Sequence, residues 1–425
     1  MKKRMLIAAA AVLFVIVAAV VLLPSNTTPP DPSTGAATTT GSTADTTMPT
    51  VKPTTSVVVT PTGTTVITLP PPTTTLPPEP GVVRLYTCDA AQYEAYLALA
   101  AEYYGETGIE VLVLTPAEGE TCEAALTRLL AGENAPSLFC VHSRQMLEQL
   151  QLYDLTDSAV AAQLYGPAFA QSVDGNMVAL SMDVGGSGLI YNASKLAIAG
   201  FSESDISSFA ALKVTVSYLT ANKSELGYAF AAPDYTDEHL MEHLAGLYPD
   251  ADQLRAFFDM YLKNCTAKAT TLKYFTNGTT VFYIGGTAEY EKVASLGSNN
   301  LRFLPAYSQD TAMVQCFSSL YWAVNADVSD ADIQETLDFW AWLVTAQADA
   351  APIDRLGMLS PYQQATHADN ILEKKLREYI AEGNAYVTWN LSGNVTDLEA
   401  FTAALKAYAA SQTDENWAAV AATFG

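Results

Sequence analysis

Positive charge is scarce in this 425-residue chain: 21 lysines and arginines face 45 aspartates and glutamates, for a formal net charge of -24. A surface of that sign repels phosphate backbones and anionic lipid headgroups, which excludes nucleic acid as a partner. Cysteine is sparse too. Cys88, Cys122, Cys140, Cys265 and Cys316 form no CxxC pair and no metal-type spacing. Their odd number leaves at least one thiol unpaired or intermolecular, and spacing alone fixes no bridge. Histidine occurs only at His142, His239, His243 and His367.

What is present at the amino terminus is an apolar run, Met5 to Leu23, behind Lys2, Lys3 and Arg4. About nineteen such residues cross a hydrocarbon core, and the cationic flank keeps the first residues cytoplasmic. A cleaved signal peptide is the rival reading. Its apolar region is typically shorter and ends in small residues, whereas this one ends Val-Val-Leu-Leu-Pro. Residues 1–23 therefore read as a signal anchor, a transmembrane helix, and both readings export the rest. Residues 24–80 are almost wholly Thr, Pro, Ser, Gly and Val, which cannot bury enough surface to fold and read as a disordered stalk.

From Val82 onward, strand-like "VVRLYT", "IEVLVL" and "SLFCVH" alternate with helical "AAQYEAYLALAAEYYGET" and "TCEAALTRLLAG". Alternation of this kind implies parallel strands joined by right-handed helical crossovers, with ligands beyond the carboxyl ends of the strands. Tyr86–Asp89 and His142–Arg144 occupy two such ends. "VTVSYLT" continues the strand-like pattern, "DEHLMEHLAGLY" and "DQLRAFFDMYLK" read as helices, and the tail from Ala365 is mostly helical around "AYVTWN". The length favours two lobes over one sheet.

His239, Glu242 and His243 spell H-x-x-E-H, the spacing of an inverted zinc peptidase on a helix. The acidic company of Asp237 and Glu238 reads instead as a solvated helix face, with no metal. "SMDVGGSGLIYN" lacks the Lys-Ser/Thr of a phosphate loop and the G-x-S-x-G of a nucleophile elbow. Its glycines supply backbone freedom for a bend or for close ligand approach. Trp322, Trp389, Tyr235, Tyr283 and Tyr86 fall at strand ends or loops, where aromatic faces hold sugar rings; for any one of them, packing is the commoner role. Trp340 and Trp342 read as packing. Asp89, Ser143, Arg144 and Asp183 are available as polar contacts.

Several segments together resemble the extracellular solute-binding proteins of ABC importers, the carbohydrate-type family that includes maltose-binding protein. "AEYYGETGIEVLVL" is similar to its first helix and second strand, and "CEAALTRLLAGENAPSLFCVHS" to its next helix, turn and third strand. "VDGNMVALSMDVGGSGLIYNASKL" resembles the segment where that family's chain first crosses between lobes; "FLPAY" and "YWAVNADVSD" resemble its return. Ser181 stands where the family has proline, and Gly185 where sugar binders often carry an acid. The resemblance implies an α/β, two-lobed class II periplasmic-binding-protein fold with hinge strands. Lobe 1 would comprise residues 81–183 and 304–348, and lobe 2 residues 184–303 and 349–425. It further implies capture of a solute, an oligosaccharide above all, for an ABC permease, with no catalysis and no cofactor. Ligand contacts would carry over to Cys88, Asp89, Ser143, Arg144, Asp183, Gly185, Tyr235, Trp322 and Trp389, with Ser181–Gly186 crossing the cleft. An anchored glycoside hydrolase using Asp89 and Asp183, or a sensor or adhesion module without transport, are the alternatives.

Overall fold

The computed structural model describes residues 56–60, 63–67, 81–268, 271–307 and 312–425. The apolar run Met5–Leu23 and most of the Thr/Pro-rich segment lie outside these residues. Among the described residues no helix is long and apolar enough to cross a membrane. Within the stretch read as a stalk, β1 (Ser56–Thr60) and β2 (Gly63–Ile67) pair antiparallel. Their runs of Val, Thr and Ile are β-branched and favour extended backbone, a signal that overall composition hides.

The body that follows contains two six-stranded sheets. Its strands are β3 (Val83–Tyr86), β4 (Val111–Leu114), β5 (Leu138–Val141), β6 (Ala170–Val173), β7 (Asn176–Ser181) and β8 (Gly185–Asn192). Then come β9 (Phe282–Gly286), β10 (Leu301–Leu304), β11 (Ala306–Tyr307), β12 (Ala312–Phe317), β13 (Tyr321–Val324) and β14 (Ala385–Thr388). The first sheet runs β4-β3-β5-β13-β7-β6. Its β3, β4 and β5 are parallel, as the helix–strand alternation predicts, whereas β13 is antiparallel to both β5 and β7. In the second sheet β8 is antiparallel to β9, β10 and β12, and only the β12–β14 pairing is parallel. The parallel expectation thus holds for the opening strands alone: β6 and β7 form an antiparallel hairpin, β13 enters the first sheet reversed on its return from the second, and the second sheet is built mostly of antiparallel neighbours.

Helices cover the sheets and begin where the sequence supplies caps. Ser329, Asn370 and Asp397 accept hydrogen bonds from the first-turn amides of Asp330–Val344, Ile371–Ala381 and Leu398–Ala410. "VTVSYLT" is helical, inside Phe209–Ala221: Leu212, Thr215, Val216 and Leu219 bury one face at helical spacing, and that packing overrides β-branched propensity. One core runs through the first sheet and on to Leu372 and Leu376 beneath the second, and another fills the second sheet's opposite face around Phe230, Phe257 and Phe282.

The chain passes from β7 to β8 through Met182–Val184 and returns from β12 to β13 through Ser318–Leu320. The return therefore falls after β12, later than the boundary at 304 expected from the sequence, since β10, β11 and β12 all belong to the second sheet. Asp183 fastens the two crossings together. Its carboxylate accepts from Ser318 Oγ at 3.1 Å, Ser319 Oγ at 3.0 Å and the Leu320 amide at 3.0 Å. The Met182 amide donates to the Leu320 carbonyl at 2.9 Å and that of Val184 to the Leu359 carbonyl at 2.7 Å.

Two substitutions test this frame. Trp322 is fully buried, its ring 5.8 Å from those of both Tyr96 and Trp340. Trp322→Ala is expected to lower unfolding free energy by about 3–5 kcal/mol, read by denaturant titration. A loss under 1 kcal/mol would show that the residue is not core. Asp183→Ala, which strands donors in the crossings, is expected to cost about 1–3 kcal/mol, and Asp183→Asn less. Burial, the largest influence, pushes the Asp183 carboxyl above its ordinary range, and hydrogen bonds from Ser319, Ser318 and the backbone restrain the rise. A raised folded-state pKa adds stability that is fully present below the unfolded value of 3.8 and lost as pH climbs through the folded one. Wild type should therefore gain on Asp183→Asn as pH is lowered through that window; a gap that narrows on acidification contradicts it.

Candidate functional site

Where the two lobes face each other a cleft of about 630 Å³ opens, within the range of small-molecule sites. From the first lobe it takes Arg144 and Gln171, and from the second Val387, Thr388, Trp389, Asn390 and the loop Ser392–Thr396. Another cavity, of about 590 Å³, is lined by Leu97, Tyr104 and Ile109 and lies wholly on the first lobe.

Each wall is positioned by local sequence. β5 ends at Val141, and Ser143 then caps the helix Arg144–Gln149 by accepting from the Met146 amide at 3.4 Å. That cap sets Arg144 on the helix's first turn, exposed and, among the described residues, without an ion-pair partner. Opposite, β14 runs out into Trp389. Its half-buried ring stacks on Tyr321 of β13 with centroids 4.6 Å apart and planes 21° from parallel, so a residue of the second lobe leans on a strand of the first. Gln315 of β12 anchors the following loop, donating through Nε2 to Thr388 Oγ1 at 3.0 Å and to the Leu391 carbonyl at 2.9 Å.

The other expected contacts are dispersed. Asp89 is exposed after β3 and accepts from the Ala91 amide at 2.9 Å. Cys88 is joined to Cys122 in a disulfide that ties the end of β3 to the start of the helix Cys122–Leu130, so its thiol is not free for a ligand; Cys140, Cys265 and Cys316 remain free thiols. Asp183 spends its carboxylate on the crossings. At Gly185 a side chain would meet the Phe317 ring, so the glycine lets that ring pack against the strand. The neighbouring glycines likewise admit close packing, Gly186 against Leu376 and Gly188 against the Leu304 carbonyl. The "SMDVGGSGLIYN" stretch is therefore a crossing at Met182–Val184 followed by a tightly packed strand. Tyr235 lines a separate groove of about 420 Å³ with Met241, Leu398 and Lys406, and burial pushes its phenol up to about 12. Trp322 lies in the core, contrary to its family carry-over, because it points from β13 into the helix layer holding Tyr96 and Trp340.

Two features escaped the sequence reading. Gln171, Asn390 and Ser392 line the cleft; for the latter two "TWNLSGN", an aromatic within a polar, glycine-containing turn after a strand, was the available signal. The second is a buried polar cluster in the second lobe. His243, read as part of a solvated face, is 2% exposed; its Nδ1 lies 2.7 Å from Ser187 Oγ and its Nε2 3.2 Å from Glu289 Oε2. The helix Glu238–Gly246 is amphipathic in a different phase from the one its acidic residues suggest, with Leu240, Met241, His243 and Leu244 facing inward.

Solved structures share this architecture. Apo RafE from Streptococcus pneumoniae superposes with a TM-score of 0.61 at 12% identity, covering 82% of this chain and 98% of its own. The cyclic alpha-maltosyl-1,6-maltose binding protein from Arthrobacter globiformis gives 0.60 at 16%, covering 81% and 97%. The binding protein MsmE of Bacillus subtilis, in an open conformation, gives 0.59 at 15%, covering 81% and 97%. At such identities the likeness establishes the fold alone. A search among curated proteins finds no matching relative. The model of the bacterial extracellular solute-binding proteins matches residues 98–378, more than half of the sequence, and the chain belongs to that family.

Proposed function

We propose that this protein captures an oligosaccharide outside the cell and hands it to the permease of an ABC importer, performing no chemistry itself. The observation that carries the reading is the two-sided cleft, with Arg144 and Gln171 on one wall and the Tyr321-backed Trp389 on the other. An aromatic face covers a sugar ring at small entropic cost while amide and guanidinium donors fix hydroxyls. Ligand touching both walls only in the shut state shifts the population toward closure. Fold neighbours described as binding cyclic maltosyl-maltose and as preferring β-D-galactopyranose lend support to a sugar as cargo. Residues 1–23 would hold the protein at the membrane, and residues 24–80 would carry the body clear of it.

Within the cleft, Trp389 and Arg144 would contact the ligand together with Gln171 and Asn390; Ser143 would act by capping the helix that carries Arg144, and Asp89 stands at the neighbouring strand end. A glycosidase reading needs two carboxyls free to act on one bond. Asp183, one of its two acids, is held by three donors in the crossings.

Isothermal titration of the purified full chain with malto-oligosaccharides, raffinose and galactose tests the assignment. At least one sugar is expected to bind, and Trp389→Ala to weaken it about tenfold or more, roughly 1.4 kcal/mol. Absence of binding across the panel, or unchanged affinity in Trp389→Ala, contradicts the reading; release of reducing sugar would replace it with hydrolysis.

A further inference from the structure

His239, His243 and Glu289 bring three ligand-type atoms within 4.8 Å of one another. The two histidines stand one turn apart on the helix Glu238–Gly246, with ring centroids 6.1 Å apart and planes within 26°. Glu289 comes from the turn after β9 and is 1% exposed, its nearest lysine, Lys292, 3.9 Å away. His243 Nε2 is buried and makes no hydrogen bond, although Glu289 Oε2 lies 3.2 Å from it. Glu289 Oε2 accepts from the Gly286 amide at 2.7 Å, which leaves the buried His243 nitrogen as the group without a partner, and a cation shared with Glu289 would satisfy it.

We propose that His239, His243 and Glu289 bind a divalent transition cation of the zinc type. The outer contacts match. His243 Nδ1 faces Ser187 Oγ at 2.7 Å and His239 Nδ1 faces Glu242 Oε2 at 3.1 Å. Donation of each Nδ1–H to that partner would leave Nε2 of both rings as the nitrogen for the ion, the tautomer that histidine ligands adopt. Bonds of about 2.0–2.1 Å in tetrahedral geometry separate ligand atoms by about 3.3 Å, close to the His243–Glu289 spacing. Only the exposed His239 has to adjust. Two imidazoles and one carboxylate select zinc-type ions over calcium or magnesium. Glu242, which the H-x-x-E-H spacing offers as a catalytic acid, is here the group that orients His239. The ion would join helix Glu238–Gly246 to the end of β9, with Ser187 of β8 in the outer shell, and so brace the second lobe; exposed His239 gives it an entry path.

The test is metal content. Chelator-stripped full chain, equilibrated with zinc chloride and gel-filtered, is expected to retain about one zinc per chain, and cobalt to give the intense visible absorption of a four-coordinate site. His239→Ala, an exposed change that leaves the metal-free fold intact, should lower zinc affinity about 100-fold or more. Glu289→Gln should abolish the cobalt spectrum. Failure of the wild-type chain to retain zinc at micromolar concentration, or wild-type affinity in His239→Ala, overturns the proposal. Neither readout involves sugar, so the outcome is independent of the solute reading.

Discussion

A single carboxylate fastens the two strand crossings that join the lobes. Asp183 takes three hydrogen bonds from Ser318, Ser319 and Leu320, so the strand leaving the first lobe and the strand returning to it are fastened at one point. Burying a carboxylate is unfavourable unless donors meet it, and here the donors belong to the other crossing. Two strands fastened there can twist about the contact while the sheets on either side stay rigid, and rigid lobes on a short hinge are what cleft closure requires. Ser181 reinforces the site: its hydroxyl lies 2.9 Å from that of Ser318.

The aromatics divide between two tasks on either side of that hinge. Trp322 packs with Tyr96 and Trp340 and stiffens the first lobe. Trp389 leaves its sheet at the end of β14 and stacks on Tyr321, reaching into the cleft with one face supported. Tyr321 and Trp322 are consecutive on β13 and project to opposite sides of the sheet, one toward the cleft aromatic and one toward the helix layer. Strand alternation thus assigns neighbouring residues opposite roles.

The helix–strand alternation from Val82 onward was legible because its signals are local; the two lobes were read from chain length, and the crossing around Asp183 from the family resemblance of its segment. The cleft was legible in part. Arg144 and Trp389, which line it, sit at the ends of elements whose boundaries the sequence marks. Trp322 was placed at the ligand because position along a strand says nothing about which face a side chain takes, and only the register of β13 turns it into the core. His243 shows the same limit: acidic neighbours on a helix suggest solvent, but Ser187 and Glu289, distant in sequence, turn that face inward. Strand direction failed for a related reason, since a strand arriving from the other lobe reverses the sheet without altering its own pattern.

Hinged closure is the central claim, and an interlobe distance tests it most directly. Nitroxide labels on exposed Glu148→Cys of the first lobe and Ala400→Cys of the second would be read by pulsed electron resonance, with and without saturating sugar. The account predicts a shorter, narrower distance distribution in the liganded state. Identical distributions in the presence of bound sugar would show that the lobes do not close, and the hinge at Asp183 would have no role in capture.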